Sequence, residues 1–301
     1  MSLAASTVAH LTTEAAAFLD SPPAERIFEI RRDHWVGYPR AKEALLHLED
    51  LLNHPRTLGL NNLLLVGPSG IGKTTIIHRF VAQNPIQNDV DGHPIRPVLL
   101  LNMPVEPSEG RFWSAVLRAL NVSYRETDKP QTKMTQALEV LRMVQCRMVI
   151  VDEIHNVLTG GPKQQRAFLT LLKELDNALQ AALVCVGTND AVMALATDSQ
   201  TDRRFVSFGL RKLPAGKAFQ AFVATYERRL PLAKPSGLGS RELATAIYRG
   251  SNNGLISDAT RIMREAAVAA VRSGEEQITL RTIESLPQLR LTDPRAGGGR
   301  G

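Results

Sequence analysis

Five short apolar runs mark the first two thirds of the chain: "LLLV" at 63–66, "VLLLN" at 98–102, "MVIV" at 148–151, "LVCV" at 183–186 and "FVSFGL" at 205–210. All but the last lack alternation between polar and apolar positions, which is the pattern of parallel strands covered on both faces. Stretches with helical spacing separate them, beginning near Lys73, Arg111, Lys133 and Gln164. Strands alternating with helices predict an α/β fold built on a parallel sheet with right-handed crossovers. Upstream, Ala41, Ala44, Leu45, Leu48, Leu51 and Leu52 fall on one helical face. "NHP" breaks that helix before the first strand. After about Leu213 the pattern becomes helical alone, in "PAGKAFQAFVATYERRL", "SRELATAIYRG" and "LISDATRIMREAAVAAVRS", with a last short helix from Leu280 to Leu286. The small residues of the first twenty positions suggest loose order, and "DPRAGGGRG" at the end reads as a disordered tail. The pattern therefore divides the chain into a flexible segment 1–26, an α/β core 27–213, a helical subdomain 214–290 and a tail 291–301.

Composition changes this picture little. Hydrophobic residues are 44% and charged residues 22% of 301, enough for a sizeable core. A net charge of +6 is compatible with a nucleic-acid partner without requiring one. Cys146 and Cys185 sit in or beside apolar runs and read as reduced core residues, with no zinc-ligand spacing. No apolar stretch is long enough for a membrane span, and the N-terminus lacks a basic-then-apolar leader, so a cytoplasmic, unanchored protein without a membrane partner is expected.

Chemistry concentrates behind the first run. "GPSGIGKTT" comprises Gly67, Pro68, Ser69, Gly70, Ile71, Gly72, Lys73, Thr74 and Thr75. It is a complete Walker A motif with a strand before it and a helix after it. The glycines let backbone N–H groups point inward around phosphate oxygens, helped by the positive helix N-terminus. Lys73 should reach the β- and γ-phosphates of ATP, and the Thr74 hydroxyl should ligate Mg²⁺. Asp152 emerges at the C-terminal edge of the third run, where open α/β sheets bind ligands, and serves as the second Mg²⁺ residue. Glu153 then orients and polarises the attacking water. His155, next in "DEIH", reads as a residue of the following loop rather than a helicase signature, since only one nucleotide-binding core fits. Thr188 or Asn189, ending the fourth run in "VGTND", would come near the γ-phosphate and report hydrolysis through a hydrogen bond. Arg203 or Arg204, at the mouth of the last run, could reach a neighbouring subunit's nucleotide as an arginine finger.

Together the Walker A residues, "MVIVDE", "VGTND", "DRRF" and the C-terminal helices resemble an AAA+ ATPase, and more closely the TniB/TnsC-type ATPases of transposition. "WVGYPRAKEAL", "NNLLLVGPSGIGKTTIIHRF", "VGTNDA" and "GLISDATRIMREAA" carry the finer resemblance, which runs from about Ile27 to Ser273. It implies strand order 5-1-4-3-2 and a small helical lid. It implies ATP-dependent homo-oligomerisation around duplex DNA, as a ring or helical filament, with recruitment or activation of a transposase of TniA or TnsB type and a TniQ-type partner. Trp35, Val36 and Tyr38 are the positions that would flank the adenine. Many AAA+ lids carry an arginine just after a glycine at a lid-helix start; here Arg261 follows Gly254 by seven positions, a departure from that pattern. DNA contacts are implied in "VEPSEGRFW" and "YRETDKPQTKM", with Arg111, Arg125, Lys129, Thr132 and Lys133 as candidates. Glu106, Glu109, Glu126 and Asp128 dilute their charge, so many protomers on one duplex would have to add their contacts. Two other readings stay open. One is an AAA+ loader of the origin-recognition or helicase-loading type, for which the stretch after Leu289 is too short to form a winged helix. The other is an ATPase acting on protein partners without DNA.

Overall fold

The computed structural model describes residues 9–55, 62–192 and 204–286. In chain order these form α1 (Thr13–Ala16), α2 (Pro23–Arg31), α3 (Pro39–Asn53), β1 (Asn62–Val66), α4 (Lys73–Gln83), a small antiparallel ribbon (Gln87–Asn88 with Pro94–Ile95), β2 (Val98–Asn102), α5 (Glu109–Ala119) and α6 (Pro130–Met143). There follow β3 (Met148–Asp152), a 3-10 helix (Ile154–Thr159), α7 (Pro162–Leu179), β4 (Ala182–Gly187), β5 (Phe205–Gly209), α8 (Lys217–Glu227), α9 (Arg241–Gly250), α10 (Ile256–Ser273) and α11 (Leu280–Ser285). The chain divides into two compact units, residues 37–211 and residues 1–36 with 212–301.

The first unit is an all-parallel sheet in the order β2-β3-β4-β1-β5, which read from the other side is 5-1-4-3-2. β1, β2, β3 and β4 are buried along nearly their whole length, as their unbroken apolar character requires. Leu64, Val66, Leu99, Leu101, Val149, Val151, Leu183 and Cys185 lie in one cluster with residues of α5, α6 and α7. Strand alternation turns the intervening residues to the opposite face. Phe112 anchors the cluster through edge-to-face contacts with Trp113 and Phe168. β5, one of the two edge strands, departs from the apolar pattern: Val206 and Ser207 are exposed and Phe208 is buried. There Arg40, from the first turn of α3, lies 3.7 Å over the Phe208 ring and donates to the Gly209 carbonyl.

The second unit joins the N-terminal helices to α8–α11, and here the expected boundaries change. Residues from 9 onward are folded rather than loose: Leu11 and Ala15 are buried, the Thr12 N–H donates to the Arg228 carbonyl at 2.7 Å, and the Thr12 hydroxyl caps α1. Arg26 makes a fork-like pair with Glu276 and also donates to the Pro231 carbonyl at 2.6 Å. Arg264 likewise reaches Asp33 at 3.2 Å. These pairs hold residues up to 36 with the C-terminal helices. The α/β unit therefore begins at 37 rather than 27, and the sequence between is a separate helix, α2, that periodicity upstream of α3 did not reveal. Burial works to raise the Glu276 pKa, but the Arg26 hydrogen bonds and the Ala233 N–H outweigh it and hold the carboxyl below its ordinary range. Positions 287–301, including the tail at 291–301, lie outside the described residues. No helix among the described residues is long and apolar enough to cross a membrane.

Candidate functional site

The glycine-rich turn leaves β1 at Gly67 and enters α4 at Lys73. Gly67 is glycine because of a close approach: a Cβ there would stand 2.8 Å from the Leu210 carbonyl oxygen and 3.1 Å from the Ile71 side chain. Gly70 and Gly72 take left-handed φ values of 75° and 96°, which other residues adopt only at a cost. This backbone turns the first N–H groups of α4, unpartnered within a helix, toward the loop's hollow. The Gly67 N–H donates to the Gly187 carbonyl at 3.3 Å, tying the loop to the end of β4. Tyr38 is buried and its hydroxyl donates to the Ile71 carbonyl at 3.1 Å, so it braces the loop from beneath; burial pushes its pKa up to about 12.

Lys73 is buried, and its Nζ donates to the carbonyls of Gly67 at 2.8 Å and Pro68 at 3.0 Å. Burial lowers its pKa, while the charges of Glu153 and Asp152 work against that shift. The cation thus rests in the loop on neutral oxygens, without a salt bridge to offset its desolvation. The Thr74 hydroxyl donates to Asp152 Oδ2 at 2.9 Å, bringing the two expected metal residues into direct contact across the loop. The other oxygen of Asp152 accepts the Glu153 N–H at 2.8 Å. Both carboxylate oxygens are therefore oriented, and the hydroxyl–carboxylate pair is a hard-oxygen donor set suited to Mg²⁺.

Glu153 occupies the left-handed region, with φ 57° and ψ 36°, and its side chain is exposed beside this pair. β4 lies between β3 and β1, so Thr188 and Asn189 border the same edge. They form a turn there: the Thr188 hydroxyl donates to Asp190 at 3.3 Å and Asn189 is exposed. The sequence reasoning missed two neighbours. Asn102 ends β2 in register with Asp152, a position foreshadowed only by the polar residue closing an apolar run. His155 turns its Nδ1 to within 3.1 Å of a Glu153 carboxylate oxygen.

Arg204 is not brought to this edge. Arg204 precedes β5 at the N-terminal end of the sheet and pairs with Asp176 at 3.2 Å, a residue of α7. Asp176 also accepts from the Asn62 side chain, whose own oxygen accepts the Leu183 N–H. A buried carboxylate of α7 thus holds this arginine. Arg203 lies outside the described residues. Trp35 and Val36 belong to the helical unit and Tyr38 to the α/β unit. Arg261 faces Asp258 at 3.6 Å on its own helix.

Lys133 corrects the expected DNA surface. It is buried and its Nζ donates to the Ser114 hydroxyl and the Glu126 carbonyl, both at 3.0 Å, beneath the Tyr124 ring. Its charge stitches α6 to α5 and is not presented to solvent. Arg111 is exposed but paired with Glu106. Arg125, Lys129 and Thr132 are exposed around the start of α6.

Comparison with known proteins places this geometry. A family model described as bacterial TniB protein matches residues 26–214. No curated protein sequence matches the chain. Among solved structures, Cdc6p from Pyrobaculum aerophilum superposes with a TM-score of 0.59 at 19% identity, over 83% of this chain and 67% of that one. The Aeropyrum pernix ORC1 protein in complex with DNA gives 0.62 at 15% identity, over 86% and 68%. The S. cerevisiae Hsp104:casein complex gives 0.52 at 18% identity, over 85% and 42%. At these identities the structures establish a common fold, that of AAA+ P-loop ATPases.

Proposed function

We propose, from the premise that this chain belongs to the bacterial TniB family, that it is an ATP-hydrolysing switch that assembles on duplex DNA and governs transposition. The observation that carries this reading is the Thr74–Asp152 contact at 2.9 Å, which joins the phosphate loop to the strand end presenting Glu153. Thr74 and Asp152 would hold Mg²⁺, which when bound neutralises developing charge on the phosphates. Lys73 exchanges its two carbonyl partners for phosphate oxygens, converting a desolvated cation on neutral acceptors into a charge-assisted contact. Glu153 accepts a proton from the attacking water as the water oxygen bonds to the γ-phosphorus and ADP leaves. Thr188 or Asn189, at the same edge, hydrogen-bonds the transferred group. A neighbouring protomer completes the site with Arg203 or Arg204; for Arg204 this requires release from Asp176.

ATP occupancy then closes contacts between copies, and hydrolysis releases them. Exposed Arg125, Lys129, Thr132 and Arg111 would contribute weak, sequence-independent phosphate contacts that add up along the duplex. The ORC1 protein, which shares the fold, forms a complex with DNA, which supports duplex DNA as the ligand. The family match favours transposition over origin loading, with a transposase of TniA or TnsB type and a TniQ-type protein as partners. Duplex binding measured against salt, with a non-hydrolysable ATP analogue or with ADP, tests the reading. Binding should require the analogue and fall steeply with salt. Absence of binding at low salt in both nucleotide states would contradict it and favour a protein-directed ATPase.

A further inference from the structure

His155 was read from the sequence as an ordinary loop residue, and its surroundings say otherwise. The left-handed backbone at Glu153 swings the chain out of β3 into the 3-10 helix Ile154–Thr159. A non-glycine residue in that conformation is uncommon, and the surrounding packing must hold it there. The packing is visible. Ile154 is completely buried, and Gly187 on β4 leaves no room for a side chain, since a Cβ there would stand 3.0 Å from Ile154 Cγ2 and 3.5 Å from the His155 nitrogen.

The result is that His155 folds back over its neighbour, with Nδ1 3.1 Å from Glu153 Oε2. That ring nitrogen is sealed from solvent and has no aligned hydrogen-bond partner. Buried polar atoms left unmatched in a folded chain call for an explanation. The distance is right for a hydrogen bond and only the alignment is lacking, a condition common in catalytic contacts before substrate binds.

We propose that His155 is a positioning residue for Glu153: its Nδ1–H closes onto Oε2 when nucleotide is bound, leaving Oε1 to receive the proton of the attacking water. The imidazole donates through Nδ1–H and transfers no proton itself. It fixes where the carboxylate of the exposed Glu153 side chain points. This rests on the reading of Glu153 as the group that activates water.

The test is the hydrolysis rate of the full chain with saturating duplex DNA, with nucleotide affinity measured separately. His155→Ala should lower kcat about tenfold, equivalent to ~1.4 kcal/mol, while nucleotide affinity stays within about twofold. His155→Asn, whose amide nitrogen stands close to the place of Nδ1, should recover most of the rate. In a Glu153→Gln background, His155→Ala should remove nothing further from the residual single-turnover rate, because the two residues act as one unit. An unchanged or faster His155→Ala overturns the proposal. So does an equal loss in the Glu153→Gln background, or a loss shared by His155→Asn together with lowered nucleotide affinity. If Glu153→Gln itself hydrolyses ATP at the wild-type rate, the assignment of Glu153 fails first, and that result is distinct from all of these.

Discussion

At the C-terminal edge of the parallel sheet Lys73 gives its hydrogen bonds to two backbone carbonyls, and Asp152 accepts a threonine hydroxyl. At the N-terminal edge Asp176 accepts an asparagine amide and an arginine guanidinium. Both edges hold a partly or wholly buried cation and a buried carboxylate, yet their partners differ in kind. The cation at the first edge rests on neutral oxygens that a phosphate can replace. At the second edge the opposite charges already meet. The first arrangement leaves electrostatic energy unrealised until a ligand arrives, while the second realises it in the fold. Paired charges alone therefore do not identify a site in this molecule; what the charges rest on does.

Substitutions at the two edges separate these roles. The largest effect is expected at Lys73: Lys73→Met should weaken ATP binding at least about a hundredfold, ~2.7 kcal/mol, in a fluorescent-nucleotide titration. The same change should leave thermal stability of the nucleotide-free chain unchanged or raised, since it removes a buried charge whose desolvation outweighs the attraction of Glu153 and Asp152. At the other edge Asp176→Ala should do the reverse. It strands Asn62 and Arg204, costs about 1–3 kcal/mol of stability, and leaves nucleotide affinity alone. Burial first of all raises the Asp176 pKa above its ordinary value of 3.8, against the pull of Asn62 and Arg204. A carboxyl whose folded pKa is raised contributes its stability most fully below the unfolded value and loses it as pH rises through the folded value. The stability difference between wild type and Asp176→Asn should therefore shift in favour of the variant as pH rises from below about 3.8; a pH-independent difference would show that Asp176 titrates normally.

The smallest effects concern the cations assigned to DNA. Lys129→Ala should lower the slope of log affinity against log salt by about one without altering stability. Lys133→Ala should leave that slope unchanged and lower the unfolding temperature, because its charge is spent on Ser114 and Glu126. Equal salt slopes for the two variants would break the distinction between a presented cation and a stitched one.

Much of this was readable from residue order. Four strands announced themselves because burial on both faces forbids polar alternation, while β5, at one edge, exposes Val206 and Ser207 and breaks the run. The phosphate loop was legible because close backbone approach and left-handed turns demand glycine at fixed positions. The illegible features were pairings that only the folded backbone brings together. Arg26 meets Glu276 across 250 positions, and no periodicity around "AERIFEIRR" forecasts that. Lys133 looked solvated because its neighbours are charged, yet Ser114 from the preceding helix receives it. Arg204 meets Asp176 of α7, 28 positions earlier. His155 needed the left-handed turn at Glu153, which a string of residue types does not specify.

The central claim is that phosphate occupancy of the Lys73 loop is converted into assembly on DNA. Electron microscopy of the full chain on duplex DNA tests it most directly, comparing ADP with a non-hydrolysable ATP analogue and the wild type with Lys73→Ala. The account predicts ordered protein-coated duplex with the analogue, bare duplex with ADP, and bare duplex for Lys73→Ala in either state. Monomers alone in both nucleotide states, or DNA coated by Lys73→Ala as fully as by the wild type, would contradict it.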